Sequence, residues 1–205
     1  MRLVLASASP RRAGLLQAAG YEFEVVAVDI DERMHDSEAP AAYVRRLSAE
    51  KSQYGALGFR RSREGGHDQR IVLAADTTVV LGDAILAKPR DDGEVATMLR
   101  ALSGRRHEVL TGISLRRGGF EIGRVETTAV HFAPLTDADI AWYVASGEGR
   151  DKAGAYAIQG LASRFIPRIE GSYSNVVGLP IAAVAELLRE ISDIPPDRRP
   201  RAPSD

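Results

Sequence analysis

The chain contains no cysteine, so disulfides and thiolate metal sites are both excluded. No apolar run approaches the ~18 residues of a membrane-spanning helix. Net charge is also lacking: the formal value is −1, which gives no general attraction to nucleic acid or to an anionic membrane. Any anion site therefore has to be local. The four histidines, His35, His67, His107 and His131, show no mutual spacing suited to a metal site. The N-terminus opens on a strand pattern, not on a signal peptide, and the expected location is the cytoplasm.

Lysine is the most informative shortage. Of 27 basic residues, only Lys51, Lys88 and Lys152 are lysines and the rest are arginines. A chain so biased toward Arg is expected to keep a compact ammonium mainly where a planar fork does not serve. Codon bias alone would leave its three survivors at random positions, yet all three fall inside motif stretches. The bulk numbers are those of a globular protein: 205 residues, 44% hydrophobic and 27% charged, enough for one domain or one domain in two lobes.

The stretch that organises the chain is Leu3-Val-Leu-Ala-Ser7-Ala-Ser9-Pro10-Arg11-Arg12. A short apolar strand is broken by two serines and a proline, and a helical pattern starts at once with Leu15, Leu16, Ala18 and Ala19. Ser9 suits an N-cap and Pro10 the first helical position. Free backbone donors, a positive dipole end and two guanidinium groups then share one turn, which suits phosphate oxygens.

Further along, Phe23–Val28 reads as a strand that runs into Asp29, Asp31 and Glu32. Pro40 opens a helix to about Leu57 with an inward stripe of Val44, Leu47, Lys51 and Tyr54, which turns Lys51 toward the interior or a cleft. Residues 59–70 lack periodicity and read as an exposed loop, whose arginines carry no interleaved aromatics to suggest nucleic acid. Ile71–Leu81 is the most apolar strand, and Asp76 interrupts it. A carboxylate there is expensive unless paired, hydrogen-bonded or metal-bound. A hairpin at Gly82-Asp83 returns Lys88, Asp91 with Glu94 caps a helix ending at Gly104, and two long strands meet at Gly118-Gly119. Thr136 with Asp139 caps another helix. The Gly/Ala-rich segment 150–160, with Lys152, Tyr156 and Gln159, has the small residues of a binding loop. Pro180 starts a last helix, and residues 195–205 read as a disordered tail beyond a single domain of residues 1–194. Strands alternating with helices, with hairpins in the middle, indicate an α/β fold with a mixed sheet.

Taken together, Ser7-x-Ser9-Pro-Arg-Arg, Asp31-Glu32, Lys51, Ala75-Asp76-Thr77, Ala87-Lys88-Pro89, Leu102-Ser-Gly, Thr111-Gly, Asp151-Lys152-Ala-Gly-Ala-Tyr-Ala-Ile-Gln159-Gly160, Gly171-Ser-Tyr and Val177-Gly-Leu-Pro180 resemble the Maf family of nucleoside triphosphate pyrophosphatases. One departure is Ser52, where many members carry Ala. The resemblance implies an elongated, mixed twisted sheet with flanking helices and two lobes around a cleft (Maf/ITPase-like), usually as a homodimer. It implies hydrolysis of a nucleoside triphosphate to the monophosphate and pyrophosphate, with Mg²⁺ or Mn²⁺ on Glu32 and Asp76. Asp29 or Asp31 are possible helpers. Asp76, Glu32, Lys51 and Lys88 are the implied catalytic set, with Ser7, Arg12, Lys51 and Lys88 on the phosphates. Arg11, Thr77 and Gln159 match the dTTP/UTP branch and not the 7-methyl-GTP branch, and an amide at Gln159 offers the donor and acceptor that a thymine or uracil edge needs. The competing readings are a nucleotide-binding regulator of cell division, a pyrophosphatase for a modified purine such as 7-methyl-GTP, and a nucleic-acid-binding protein. Net charge disfavours the last.

Overall fold

The computed structural model describes residues 2–60 and 70–194. The expected tail lies outside the described residues, as does nearly all of the expected 59–70 loop. A seven-stranded mixed sheet forms the centre, in the order β2-β1-β3-β5-β6-β7, with β4 pairing the far end of β3. Its strands are β1 (Arg2–Ala6), β2 (Phe23–Val26), β3 (Arg70–Leu81), β4 (Ala84–Leu86), β5 (Arg106–Arg117), β6 (Phe120–His131) and β7 (Arg168–Glu170). The α-helices are α1 (Pro10–Ala18), α2 (Pro40–Arg60), α3 (Asp92–Leu102), α4 (Asp137–Ser146), α5 (Tyr173–Val177) and α6 (Ile181–Asp193).

β1 is parallel to both β2 and β3, whereas every other pairing is antiparallel. The chain leaves β1 through α1 to reach β2 on one side, then returns through α2 to β3 on the other. Such a reversal opens a crevice at the carboxyl end of the central strand, and that end is where Ser7–Arg12 begins.

Strand periodicity decides what each face of β3 meets. Ile71, Leu73 and Ala75 join the core under α1 and α6, with Leu16, Val184, Leu187 and Ile191. Val72 and Ala74 face the opposite way, with Val4 and Ala6. Further along, Val79 enters a second core with Val95 and Leu99 of α3, Ile140 and Tyr143 of α4, and Phe132. The long strand β3 thus runs from one packed lobe into the other.

α2 lies close on the sheet because of Gly112, where an added Cβ would sit 2.1 Å from the Val44 carbonyl oxygen. Its inward face is Val44, Leu47, Ser48, Lys51 and Ser52, all buried. Tyr54 does not belong to it, being 55% exposed. The expected stripe holds at Val44, Leu47 and Lys51 and fails only at its last position, which Gly55 takes in place of Tyr54. After Lys51 the face continues through Ser52 to Gly55, whose added Cβ would lie 2.8 Å from Ala6 Cβ. The departure at Ser52 is built into the packing: its hydroxyl lies 2.8 Å from Ser114 Oγ, and Ser114 donates to Glu121 Oε1 at 2.6 Å.

Other expectations differ only at element ends. β2 stops at Val26, β4 stops at Leu86, and Pro180 is the N-cap of α6 instead of its first residue. The capping expectations hold: Asp91 accepts from the Glu94 amide at 2.8 Å, and Thr136 with Asp139 forms a reciprocal capping box. No helix among the described residues is long and apolar enough to cross a membrane.

Candidate active site

A cleft of about 630 Å³ opens at the carboxyl end of β1. Its floor is the turn entering α1. Ser9 takes the N-cap position with Pro10 at the first helical residue, and no side chain caps the first turn. Instead the Ser9 amide donates to Ser7 Oγ at 3.2 Å. With no capping side chain, the positive end of the helix lies open among the residues that line the cleft, as an anion site requires.

Arg12 is fixed from three sides. Its Nε donates to the Gly178 carbonyl at 2.8 Å, Nη1 to Ser7 Oγ at 3.3 Å and Nη2 to Thr77 Oγ1 at 3.2 Å. Burial lowers its pKa from the ordinary value, against the opposing pull of Asp76. Arginine remains charged regardless, and donors are left over because the guanidinium carries five.

The charged centre lies on the α2 face of the sheet. Asp76 has the same parity in β3 as Val72 and Ala74, so it points toward α2. It is only 8% exposed, and Lys51 Nζ donates to its Oδ1 at 2.7 Å. The same ammonium lies 2.5 Å from Glu32 Oε1. Burial works to raise the Glu32 carboxyl, but the Lys51 hydrogen bond and the charges of Lys51, Lys88 and Arg12 outweigh it and hold the group below its ordinary value. Across this centre, burial, Asp76 and Glu32 push the Tyr43 phenol up to about 12.

Two carboxylates converging on one cation-sized position form a donor set that suits a hard divalent ion completed by phosphate oxygens. Glu32 and Asp76 fit that role. Asp31 does not join them: both its oxygens are engaged by Arg33 Nε at 2.9 Å, an exposed pair in a separate groove. Asp29 is not among the residues lining the cleft.

The remaining wall is the segment 151–159 together with Val176–Gly178. Lys152 contacts Asp151, and Asp151 lies 3.8 Å from Arg11. Gly154 and Ala155 both have positive φ, 68° and 58°. Ala155 is fully buried, and a non-glycine residue held there marks a backbone over-determined by its surroundings. Tyr156 is anchored from behind by His107, at 2.8 Å.

Ser7, Arg11, Arg12, Glu32, Lys51, Asp76, Thr77, Lys88 and Gln159 all line this one cleft, and so do all three of the chain's lysines. Thr77 carries a duty that sequence reading missed. Besides accepting from Arg12, its hydroxyl lies 3.0 Å from Thr111 Oγ1, so it steadies the guanidinium. Gly178 falls within the Val177-Gly-Leu-Pro180 run but was given no role from sequence, and Tyr43 was not singled out at all. No local pattern marks a carbonyl 166 residues from its arginine.

Fold and cleft together define an α/β protein with a cleft rich in basic side chains at the switch point of its parallel strands. The chain belongs to the Maf family: the sequence model described as "Maf-like protein" matches residues 2–191. A dTTP/UTP pyrophosphatase of Anaeromyxobacter sp. (strain Fw109-5) is 50% identical over 208 residues, covering 99% of this chain and 96% of that protein. A dTTP/UTP pyrophosphatase of Shewanella oneidensis is 50% identical over 196 residues, 93% of this chain and 98% of that one. The fold is also similar to that of the Staphylococcus aureus Ham1 protein, with a TM-score of 0.53 at 13% identity, covering 93% of this chain and all of that one.

Proposed function

We propose that the protein is a cytoplasmic nucleoside triphosphate pyrophosphatase that hydrolyses dTTP and UTP to the monophosphate and pyrophosphate. The observation that carries the reading is the charge arrangement. One buried ammonium joins Glu32 and Asp76, directly beside the open helix N-terminus and the fixed guanidinium of Arg12. The relatives named dTTP/UTP pyrophosphatase at 50% identity support it.

In this reading the triphosphate lies along the α1 turn. Backbone amides, Ser7 and Arg12 hold its oxygens, and Lys88 adds charge from the opposite wall. Ser7 Oγ already accepts from Ser9 and Arg12, so its own proton is available to donate to phosphate. Water adds to the α-phosphorus, the bond from that phosphorus to the α–β bridging oxygen breaks, and pyrophosphate leaves with that oxygen. Asp76 takes the proton that the water loses, as general base. A divalent cation bound by Glu32 and Asp76 supplies charge neutralisation when present. Gln159 reads the base with its paired donor and acceptor, in the cleft that Arg11 and Thr77 also line. The family resemblance adds a homodimer to the proposal, read by sedimentation.

The test is pyrophosphate release by purified protein from dTTP, UTP, CTP, GTP and 7-methyl-GTP, with and without Mg²⁺ or Mn²⁺. Metal-dependent release of pyrophosphate, fastest with dTTP and UTP, is expected. Release of orthophosphate, or no turnover with any of them, overturns the reaction. Equal kcat/KM for GTP and dTTP overturns only the base preference.

A further inference from the structure

The turn carrying Gln159 is held by residues that do not themselves line the cleft. Residues Ala157–Gly160 form a four-residue turn closed by the Gly160 amide donating to the Ala157 carbonyl at 3.1 Å. Gln159 is its third residue and is exposed toward the cleft. An exposed side chain on a short turn recognises a base edge only as accurately as the turn is placed. Nothing in the local sequence is stiff enough to place it, since its neighbours are alanine, isoleucine and glycine.

The placement comes from α4 and the residues just after it. Before the turn, the Ala157 amide donates to Tyr143 Oη at 3.2 Å. Tyr143 in turn donates to Glu148 Oε2 at 2.7 Å. After the turn, Leu161 donates its amide to Glu148 Oε1 at 2.9 Å, and Ala162 donates to Oε2 at 3.4 Å. One phenol and one carboxylate, bonded to each other, therefore grip both ends of a single turn. Tyr143 is fully buried, and its ring stands edge-on to Phe165 at 5.9 Å. Burial and then the Glu148 bond and charge push its pKa up, so the hydroxyl keeps the proton it donates.

The approach is possible only because residue 160 is glycine. A Cβ there would lie 1.8 Å from Glu148 Oε1, so any other residue expels the carboxylate.

We infer that Tyr143 and Glu148 are positioning residues for base recognition: they clamp the Gln159 turn from both sides and so set the preference among pyrimidine bases. The inference rests on the dTTP/UTP reading for its consequence. The clamp itself has a readout of its own.

The experiment compares wild type with Tyr143→Phe, Glu148→Ala and Glu148→Gln. It measures amide hydrogen exchange at Ala157, Leu161 and Ala162, and kcat/KM for dTTP and for CTP. Tyr143→Phe and Glu148→Ala should speed exchange at these amides about tenfold or more, and should lower the dTTP:CTP ratio about tenfold, mainly through KM for dTTP. Glu148→Gln keeps an accepting oxygen for Leu161 and should recover most of the ratio. Unchanged exchange in a folded variant overturns the clamp. A parallel fall of dTTP and CTP rates, which a merely structural role would give, overturns the role in base recognition. Should Glu148→Ala fail to fold, Tyr143→Phe, which retains the ring and its packing, decides the matter. A wild-type protein that does not distinguish dTTP from CTP removes the base assignment, and the exchange rates still judge the clamp.

Discussion

Replacing Asp76 by Asn separates chemistry from folding. At an effective dielectric of ~20, an ion pair at the 2.7 Å of Lys51–Asp76 is worth about 6 kcal/mol before desolvation. Two terms offset its loss. Glu32 and Asp76 share one ammonium, at 2.5 and 2.7 Å, so they stand no more than about 5 Å apart and repel each other by about 3 kcal/mol. Removing a buried charge also relieves a desolvation cost of several kcal/mol. Lys51 is not stranded, because Glu32 still neutralises it, and the new amide oxygen still accepts. The net change in stability should be within about 2 kcal/mol, a shift of no more than roughly 8 °C in Tm for a chain of this size. Turnover should fall by a factor of about 10² to 10⁴, the usual contribution of a placed general base. Thermal melts and pyrophosphate release on the same preparation make the comparison. A folded Asp76→Asn protein that turns over dTTP near the wild-type rate refutes the catalytic role. A protein that no longer folds assigns the carboxylate to the core.

Lys88→Ala should depress kcat/KM for triphosphates and leave Tm unchanged, because Lys88 is exposed. Lys51→Ala should do both: it leaves two carboxylates facing each other and costs about 2 kcal/mol, less than a fully buried pair because the Glu32 side chain is 51% exposed. Added Mn²⁺ should then restore part of the lost Tm. His107 is buried and its pKa is pushed down to about 4 by burial, with His131 and Arg106 contributing. Its ordinary value of 6.5 lies above that, so its contribution to stability is complete above pH ~6.5 and is lost as the pH falls toward ~4, by up to about 3 kcal/mol. Urea unfolding across that window should show the loss in wild type and not in His107→Gln. Gln159→Glu should lower kcat/KM for dTTP and UTP by about tenfold or more with little change in Tm, since a carboxylate has no donor for the base edge.

Much of the cleft was legible because its elements announce themselves locally. Ser9-Pro10 before a helical pattern fixes a helix start, and a lone Asp76 in an apolar strand demands a partner. What was not legible is pairing between segments distant in sequence. That Glu32 and Asp76 would converge on the same Lys51 Nζ depends on how closely α2 approaches the sheet, which the absent Cβ of Gly112 sets. The misplaced Tyr54 is the reverse case. A spacing of three suits a helical stripe on paper, but tight contact between Gly55 and Ala6 leaves no depth for a tyrosine beside it. Arg12 reads as a phosphate ligand from sequence, but nothing local shows that it also gives three donors to the protein. Glu148 carried no signal at all, since a glutamate just after a helix reads as a solvated side chain.

The confinement of every lysine to the cleft has a practical consequence. Apart from the α-amino group, the chain presents its primary amines at Lys51, Lys88 and Lys152 alone, all of which line the same cavity. Through its lysines the protein thus takes an acylating reagent or an aldehyde fixative at the cleft, with no design needed. Coupling the protein to a surface through its lysines orients it mouth-down. A bound triphosphate should shield those amines, so the mass of an acylated sample reports whether the cleft was occupied when the reagent arrived.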